Sequence, residues 1–139
     1  MGVSTDAILF FGFSAEDEEA WSEVFGEKEW EDKLAEKKGL LPPAEAFSEK
    51  TRDAHREYWT KKEELVRAQG CDVGYHCSGD YPIPYVAIQE SVVTAYRGSV
   101  KEVMTLEVKP GWRDQLKEFC TLLDIPWQEP KWYLVSYWG

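Results

Sequence analysis

Residues Ala7–Phe13 read Ala-Ile-Leu-Phe-Phe-Gly-Phe, and this pattern is the strongest indication of the fold. Both alternating faces of this stretch are apolar, so a strand formed here must be covered on both sides. Near the other end of the chain, Trp132–Trp138 (Trp-Tyr-Leu-Val-Ser-Tyr-Trp) also carries large residues on both faces. Strands of this kind make poor exposed edges. We therefore predict that the two strands are neighbours inside one sheet.

The residues between these strands show helical and strand patterns in turn. Apolar residues at steps of three and four predict a long helix over residues 44–69, which Gly70 would end. A shorter helix is predicted after Pro110-Gly111, with an apolar stripe from Trp112 to Leu123. Alternation predicts further strands at Cys71–Cys77, Tyr85–Ile88 and Val92–Arg97. This order predicts an α+β fold, a ferredoxin-like β-α-β-β-α-β sandwich.

Residues 15–43 do not fit that order and are interpreted as an acidic helical insertion after the first strand. Apolar positions predict two short helices here, interrupted near Gly26 and ended by Gly39. Residues 15–39 carry ten acids and four bases. No linker divides the chain, so residues 1–139 are expected to form a single domain with this insertion.

The overall composition narrows the classes of partner. The chain has 26 acidic and 16 basic residues and a formal net charge of −10. This charge argues against direct binding to nucleic acid or to an anionic membrane, and favours a partner protein with a basic surface. A homodimer is compatible with the composition. We find no apolar run near the ~18 residues of a membrane helix and no signal-peptide pattern, so we expect a cytoplasmic protein.

The stretch Tyr-His-Cys-Ser-Gly-Asp-Tyr-Pro at residues 75–82 raises the question of a reactive or metal-binding loop. A tyrosine-phosphatase loop needs an arginine six residues after its cysteine, but Ile83 occupies that position here. Cys71, His76 and Cys77 are close in sequence, yet alternation along a strand would point His76 away from the two thiols. We therefore predict a hairpin turn at residues 78–80, and no metal ion or cofactor.

The three cysteines are expected to be free thiols in the reduced core. Their number is odd, and a chain of this size does not depend on disulfides, which suits a reducing cytoplasm. Cys77 shares its predicted strand face with Cys71, and Cys120 lies on the apolar stripe of the last helix.

Common signatures of catalysis are absent from the sequence. There is no G-x-S-x-G, Walker loop or G-x-G-x-x-G, so we predict no catalytic residues and a protein that is not an enzyme. Two alternatives stay open. The first is a small-ligand-binding module with a polar pocket near His76, Ser78 and Asp80, and the second is an enzyme with an unrecognised site.

The number of aromatic side chains is also informative. If one face of a single sheet is open, some of the aromatics must be exposed and could contact a protein; the candidates are Phe11, Phe13, Tyr81, Tyr85, Tyr133 and Tyr137. The other interpretation is that the helices of the insertion cover that face.

Three segments carry a resemblance to known proteins: STDAILFFGF near the start, VGYHCSGDYPIPYVAI in the middle and WYLVSYWG at the end. Together they resemble a family of small, uncharacterised acidic proteins encoded by bacteriophages and bacteria. The resemblance spans most of the chain outside the acidic segment and implies no catalytic residues. It implies an accessory protein acting in the cytoplasm of the bacterial host, where some such proteins bind and inhibit defence proteins.

The function predicted from the sequence is therefore a non-catalytic acidic protein-interaction module, plausible as a phage-encoded modulator or inhibitor of a host defence protein. The acidic insertion would meet a basic surface on the partner, and it would mimic DNA if its acids were aligned in rows. The contact residues predicted for it are Glu16, Glu19, Glu23, Glu27, Glu31 and Asp32. The competing interpretation is a solvated helix face that keeps the protein soluble.

Overall fold

The computed structural model describes residues 5–15 and 29–139, and these form three α-helices and a five-stranded mixed sheet. The α+β class predicted from the sequence is confirmed. The helices and strands follow in the order β1 (Thr5–Ser14), α1 (Trp30–Lys37), α2 (Arg52–Gln69), β2 (Cys71–Ser78), β3 (Pro82–Ile88), a 3₁₀ turn (Gln89–Ser91), β4 (Val93–Ala95), α3 (Trp112–Leu123) and β5 (Lys131–Trp138).

Strand β1 lies in the interior of the sheet, as its apolar faces predicted. It pairs antiparallel with β5 along nearly its whole length, from Thr5 opposite Trp138 to Gly12 opposite Lys131. On its other side, β4 pairs with residues 7–9 and β3 pairs with residues 12–14. The predicted adjacency of the first and last strands is therefore confirmed.

The sheet also closes on itself. Strand β2 pairs antiparallel with β3, and its last residues pair parallel with β5, through Cys77 opposite Tyr137 and Ser78 opposite Trp138. The pairings thus run from β1 to β3, β2, β5 and back to β1. In a ferredoxin-like sandwich the corresponding strands β2 and β5 would lie at opposite edges. This closure and the additional strand β4 mean that the ferredoxin-like order is not confirmed.

Closure of the sheet creates two apolar clusters, one on each face of β1. Phe11 and Phe13 point to the outer face, where Leu116 and Phe119 of α3 and Leu34 of α1 cover the sheet. Ile8 and Phe10 point to the inner face with Tyr85 and Ala87 of β3. The Phe10 and Tyr85 rings stack with centroids 4.3 Å apart.

Some boundaries differ from those predicted. Helix α2 begins at Arg52 rather than at residue 44, because a turn precedes it in which the Thr51 hydroxyl accepts a hydrogen bond from the Ser48 amide at 2.8 Å. Its end at Gly70, in the left-handed region at φ +65°, is as predicted. Strand β4 covers only Val93–Ala95 rather than Val92–Arg97, since the chain turns at Tyr96–Ser99.

The acidic insertion is described only in part. Its second predicted helix is confirmed as α1, which buries Trp30, Leu34 and Ala35. The first predicted helix falls on residues 16–28 and lies outside the described residues. Among the helices described, none has the length and apolar character needed to cross a membrane.

Candidate functional site

His76 lies near the end of β2 and contacts the end of β1. Its Nε2 and the Ser14 hydroxyl are 2.8 Å apart, a hydrogen bond between residues that are 62 positions apart in sequence. The Tyr85 ring lies 6.2 Å from the imidazole, centroid to centroid. Partial burial lowers the pKa of His76, so the neutral imidazole is favoured.

A serine next to a neutral histidine has the geometry of a nucleophile and its general base. Such a site also needs amide donors for an oxyanion. The amide of the next residue, Ala15, instead donates to the Pro84 carbonyl oxygen at 3.0 Å. The Ser14–His76 hydrogen bond joins the ends of β1 and β2.

Ser78 and Asp80 occupy the turn between β2 and β3 that the sequence predicted. The Ser78 hydroxyl accepts a hydrogen bond from the Tyr81 amide at 3.0 Å, which stabilises the turn. Asp80 is exposed. His76, by contrast, is partly buried against Ser14. The clefts described below are lined by other residues, and ligand binding by His76, Ser78 and Asp80 stays a prediction.

The expectation of three buried thiols is wrong for Cys77. Cys71 and Cys120 are buried, and burial raises the pKa of each thiol to about 12. Cys77 is exposed and lies at φ +77°, in the left-handed region. Tyr75, two residues earlier on the same face, is also exposed, so burial ends along β2 before the hairpin is reached. Within residues 5–15 and 29–139, no group of three potential metal ligands comes together.

Two of the six predicted acidic contact residues are described, Glu31 and Asp32 on α1; Glu16, Glu19, Glu23 and Glu27 lie outside the described residues. Glu31 is partly buried, and this burial raises its pKa. The Asp32 carboxylate accepts hydrogen bonds from the Lys62 ammonium at 2.9 Å and from the Tyr58 hydroxyl at 3.4 Å. Asp32 therefore joins α1 to α2 within the chain, an interaction that composition alone does not reveal.

An exposed aromatic patch lies beside this interaction, formed by Phe47, His55 and Trp59. The Phe47 and Trp59 rings are stacked at 6.0 Å, and the His55 ring packs against both. Phe47 and Trp59 are 59% and 49% exposed, which is unusual for side chains of this size. Neither residue was predicted to be functional. The available signal in the sequence was the spacing of Phe47, His55 and Trp59 by eight and four residues, which places aromatic rings on one face of a helix.

Trp59 also forms one wall of an acid-rimmed cleft of about 450 Å³. Its apolar lining consists of Leu41, Pro42, Tyr58 and Trp59, and its charged lining of Asp32, Glu36 and Lys62. The Lys62 ammonium lies 5.2 Å from the centre of the Tyr58 ring while it donates to Asp32. Within the cleft, the Lys62 ammonium is therefore bound by both the Tyr58 ring, through a cation–π contact, and the Asp32 carboxylate.

A second cleft of about 480 Å³ lies next to β4, on the face of β1 that carries Ala7 and Leu9. Apolar residues from β1, β4 and β5 form its floor, and the segment between β4 and α3 forms its wall; the lining comprises Ala7, Leu9, Val93, Ala95, Leu134, Lys101 and residues 103–106. Leu134 is 72% exposed even though it lies in a paired strand. This part of the outer face, beyond the area that α1 and α3 cover, is therefore open to solvent.

Comparison with known proteins adds no relative: no family profile matches the chain, and no curated protein or solved structure shows significant similarity to it.

Proposed function

We propose that this chain is a non-catalytic protein-interaction module that binds a basic, partly apolar segment of a partner protein. The aromatic patch and the acid-rimmed cleft form the contact surface. The most specific form of this proposal is that the chain is a bacteriophage protein that binds and inhibits a bacterial defence protein. This form rests on the sequence resemblance alone.

The single observation that carries this proposal is the exposure of Phe47 and Trp59 beside a cleft lined by Asp32 and Glu36. Large exposed aromatics in a cluster are typical of protein-binding surfaces, where they act as the anchors of an interface. Leu41, which is 69% exposed, extends the apolar area along the cleft. Asp32 and Glu36 supply negative charge at the same place.

The placement of Lys62 supports a basic partner. Its ammonium is held by the Tyr58 ring and the Asp32 carboxylate, so the surface has the groups that recognise an alkylammonium. A lysine or arginine from a partner would find a further aromatic ring at Trp59, which lines the same cleft. Residues 16–28, with six acids and one base, add charge that would steer a basic partner toward the chain.

The experiment compares capture of host proteins by three immobilised proteins: the wild type, Phe47→Ala/Trp59→Ala, and the control Tyr81→Ala. Tyr81 is 75% exposed but lies in the β2–β3 turn, so the control removes an aromatic of similar exposure elsewhere. A partner that uses the proposed surface should bind the wild type and the control equally, and the double variant about tenfold or more weakly.

Salt dependence gives a second measurement on any protein captured in this way. Association with a basic partner should slow as salt is added, because charges are screened over ~10 Å at 0.1 M. Equal capture by the wild type and the double variant, or association rates that do not change with salt, would contradict the proposal.

A further inference from the structure

Residues 100–108, between β4 and α3, form an exposed segment without regular backbone structure. It has neither helical nor strand structure, and within the described part of the chain its backbone makes no hydrogen bond. All of its residues are exposed, with Val100 at 93% and Met104 at 79%. We name this segment the arm.

The arm nevertheless has the composition of a strand. It reads Val-Lys-Glu-Val-Met-Thr-Leu-Glu-Val, with β-branched residues at Val100, Val103, Thr105 and Val108. Four of its five even-numbered positions are apolar, and Glu102 is the exception. Lys101 and Glu107 lie at odd-numbered positions and therefore on the other face of an extended strand. A strand-like segment with free backbone groups is a template for pairing with another strand.

We propose that the arm pairs antiparallel with the arm of a second copy of this chain, about a two-fold axis at Met104. An axis of this kind makes the interface self-complementary, since each residue meets its counterpart at equal distance from Met104. Val100 then lies opposite Val108, and Lys101 lies opposite Glu107, twice in the dimer. Opposite charges at facing positions stabilise a strand pair.

Charge complementarity selects this register over its neighbours. Moving the axis to Val103 would place Lys101 opposite Thr105, so the ion pairs are lost. Moving it to Thr105 would place Lys101 opposite Lys109, which is repulsive. Val103, Met104 and Leu106 of the arm line the cleft beside β4, so a second arm paired with this one would lie next to that cleft.

The dimer interface is separate from the aromatic patch, so this inference is independent of the proposed function. It is tested by sedimentation equilibrium at about 0.15 M salt, where charges more than ~8 Å apart are screened. Lys101→Glu and Glu107→Lys each place like charges opposite one another in both pairs. We expect each to dimerise at least about tenfold more weakly than the matched controls Lys50→Glu and Glu49→Lys, which change the same charge at exposed positions outside the arm.

Mixing the two arm variants gives the most specific result. A heterodimer of Lys101→Glu with Glu107→Lys places glutamate opposite lysine in both pairs, so the mixture should recover the affinity that each variant has lost. Equal mixtures of the two control variants provide the reference. A mixture no tighter than its components would overturn the proposed register.

Proline substitution tests the backbone pairing separately. Neighbouring amides of a strand point to opposite sides, so Val103→Pro/Met104→Pro removes one amide that faces the second copy. The melting temperature of the monomer should not change, because these amides make no hydrogen bond within the described chain. Dimerisation should be lost. A wild type that stays monomeric up to about 1 mM, or a dimer that all arm variants leave intact, would overturn the proposal; the first result would leave a strand of a different protein as the occupant of this surface.

Discussion

Gly12 lies against the backbone of Val86 so closely that a Cβ atom at position 12 would overlap the Val86 carbonyl oxygen. The contact occurs where β1 changes its neighbour from β4 to β3, with Gly12 opposite Ala87. Only a residue without a side chain lets two strand backbones approach in this way. The pairing of β1 with β3, which closes the sheet, therefore depends on this glycine.

Replacing Gly12 with alanine is expected to lower the free energy of unfolding by about 2–4 kcal/mol, because either β3 must shift or the pairing must break. Urea denaturation measures this change. Gly79→Ala is the matched control, since the nearest atom to a Cβ there is the Tyr137 hydroxyl at 3.4 Å, and it should cost less than about 1 kcal/mol. Equal losses for the two variants would show that close approach at Gly12 is not needed.

The three cysteines should differ in reactivity toward a thiol reagent at pH 8. Burial raises the pKa of Cys71 and Cys120 to about 12, so their thiolates are scarce and inaccessible in the folded protein. Cys77 is exposed and should react quickly. We expect one fast thiol in the native protein and three after unfolding, with Cys77→Ser removing the fast phase. Persistence of the fast phase in that variant would contradict the assignment.

Asp72 should make stability depend on pH. Burial raises its pKa in the folded protein, so the ionised carboxylate opposes folding at neutral pH, and this cost disappears as the pH falls through the folded pKa toward the unfolded value. Asp72→Asn should therefore raise the melting temperature at pH 7 and have little effect near pH ~3, below the ordinary pKa of ~3.9. Asp80→Asn, in the exposed turn, is the control for the loss of one charge. A lower melting temperature for Asp72→Asn at pH 7 would contradict this prediction.

Local patterns in the sequence predicted most of the helices and strands. The large apolar residues on both faces of Ala7–Phe13 and Trp132–Trp138 led to the correct prediction that their strands are adjacent. Of the two strands only β1 is mostly buried, since β5 leaves Leu134 and Trp138 exposed. Gly70 correctly predicted the end of α2, and the apolar stripe from Trp112 to Leu123 correctly predicted α3. Both predictions depend only on residues within one or two helical turns.

Contacts and exposure at the protein surface could not be predicted from such local patterns. The sequence identified the acid-rich segment but not the bond between Asp32 and Lys62, which are 30 residues apart. It predicted a buried Cys77, whereas the hairpin places this residue at positive φ and in solvent. The exposure of Phe47 and Trp59 was likewise hidden, because an aromatic residue in a helical pattern is usually buried.

Residue patterns alone were enough to predict the α+β class, most of the strands and the need to cover both faces of β1. The way in which these faces are covered emerges only on folding: α1 and α3 pack over Phe11 and Phe13 on the outer face, and the sheet closes over Phe10 and Tyr85 on the inner face. Closure relies on contacts between distant parts of the chain, such as the Ser91 hydroxyl, which accepts a hydrogen bond from the Phe11 amide 80 residues away. Periodicity records only which faces of a segment are apolar, whereas the strand that will meet each face is chosen by packing across the whole chain.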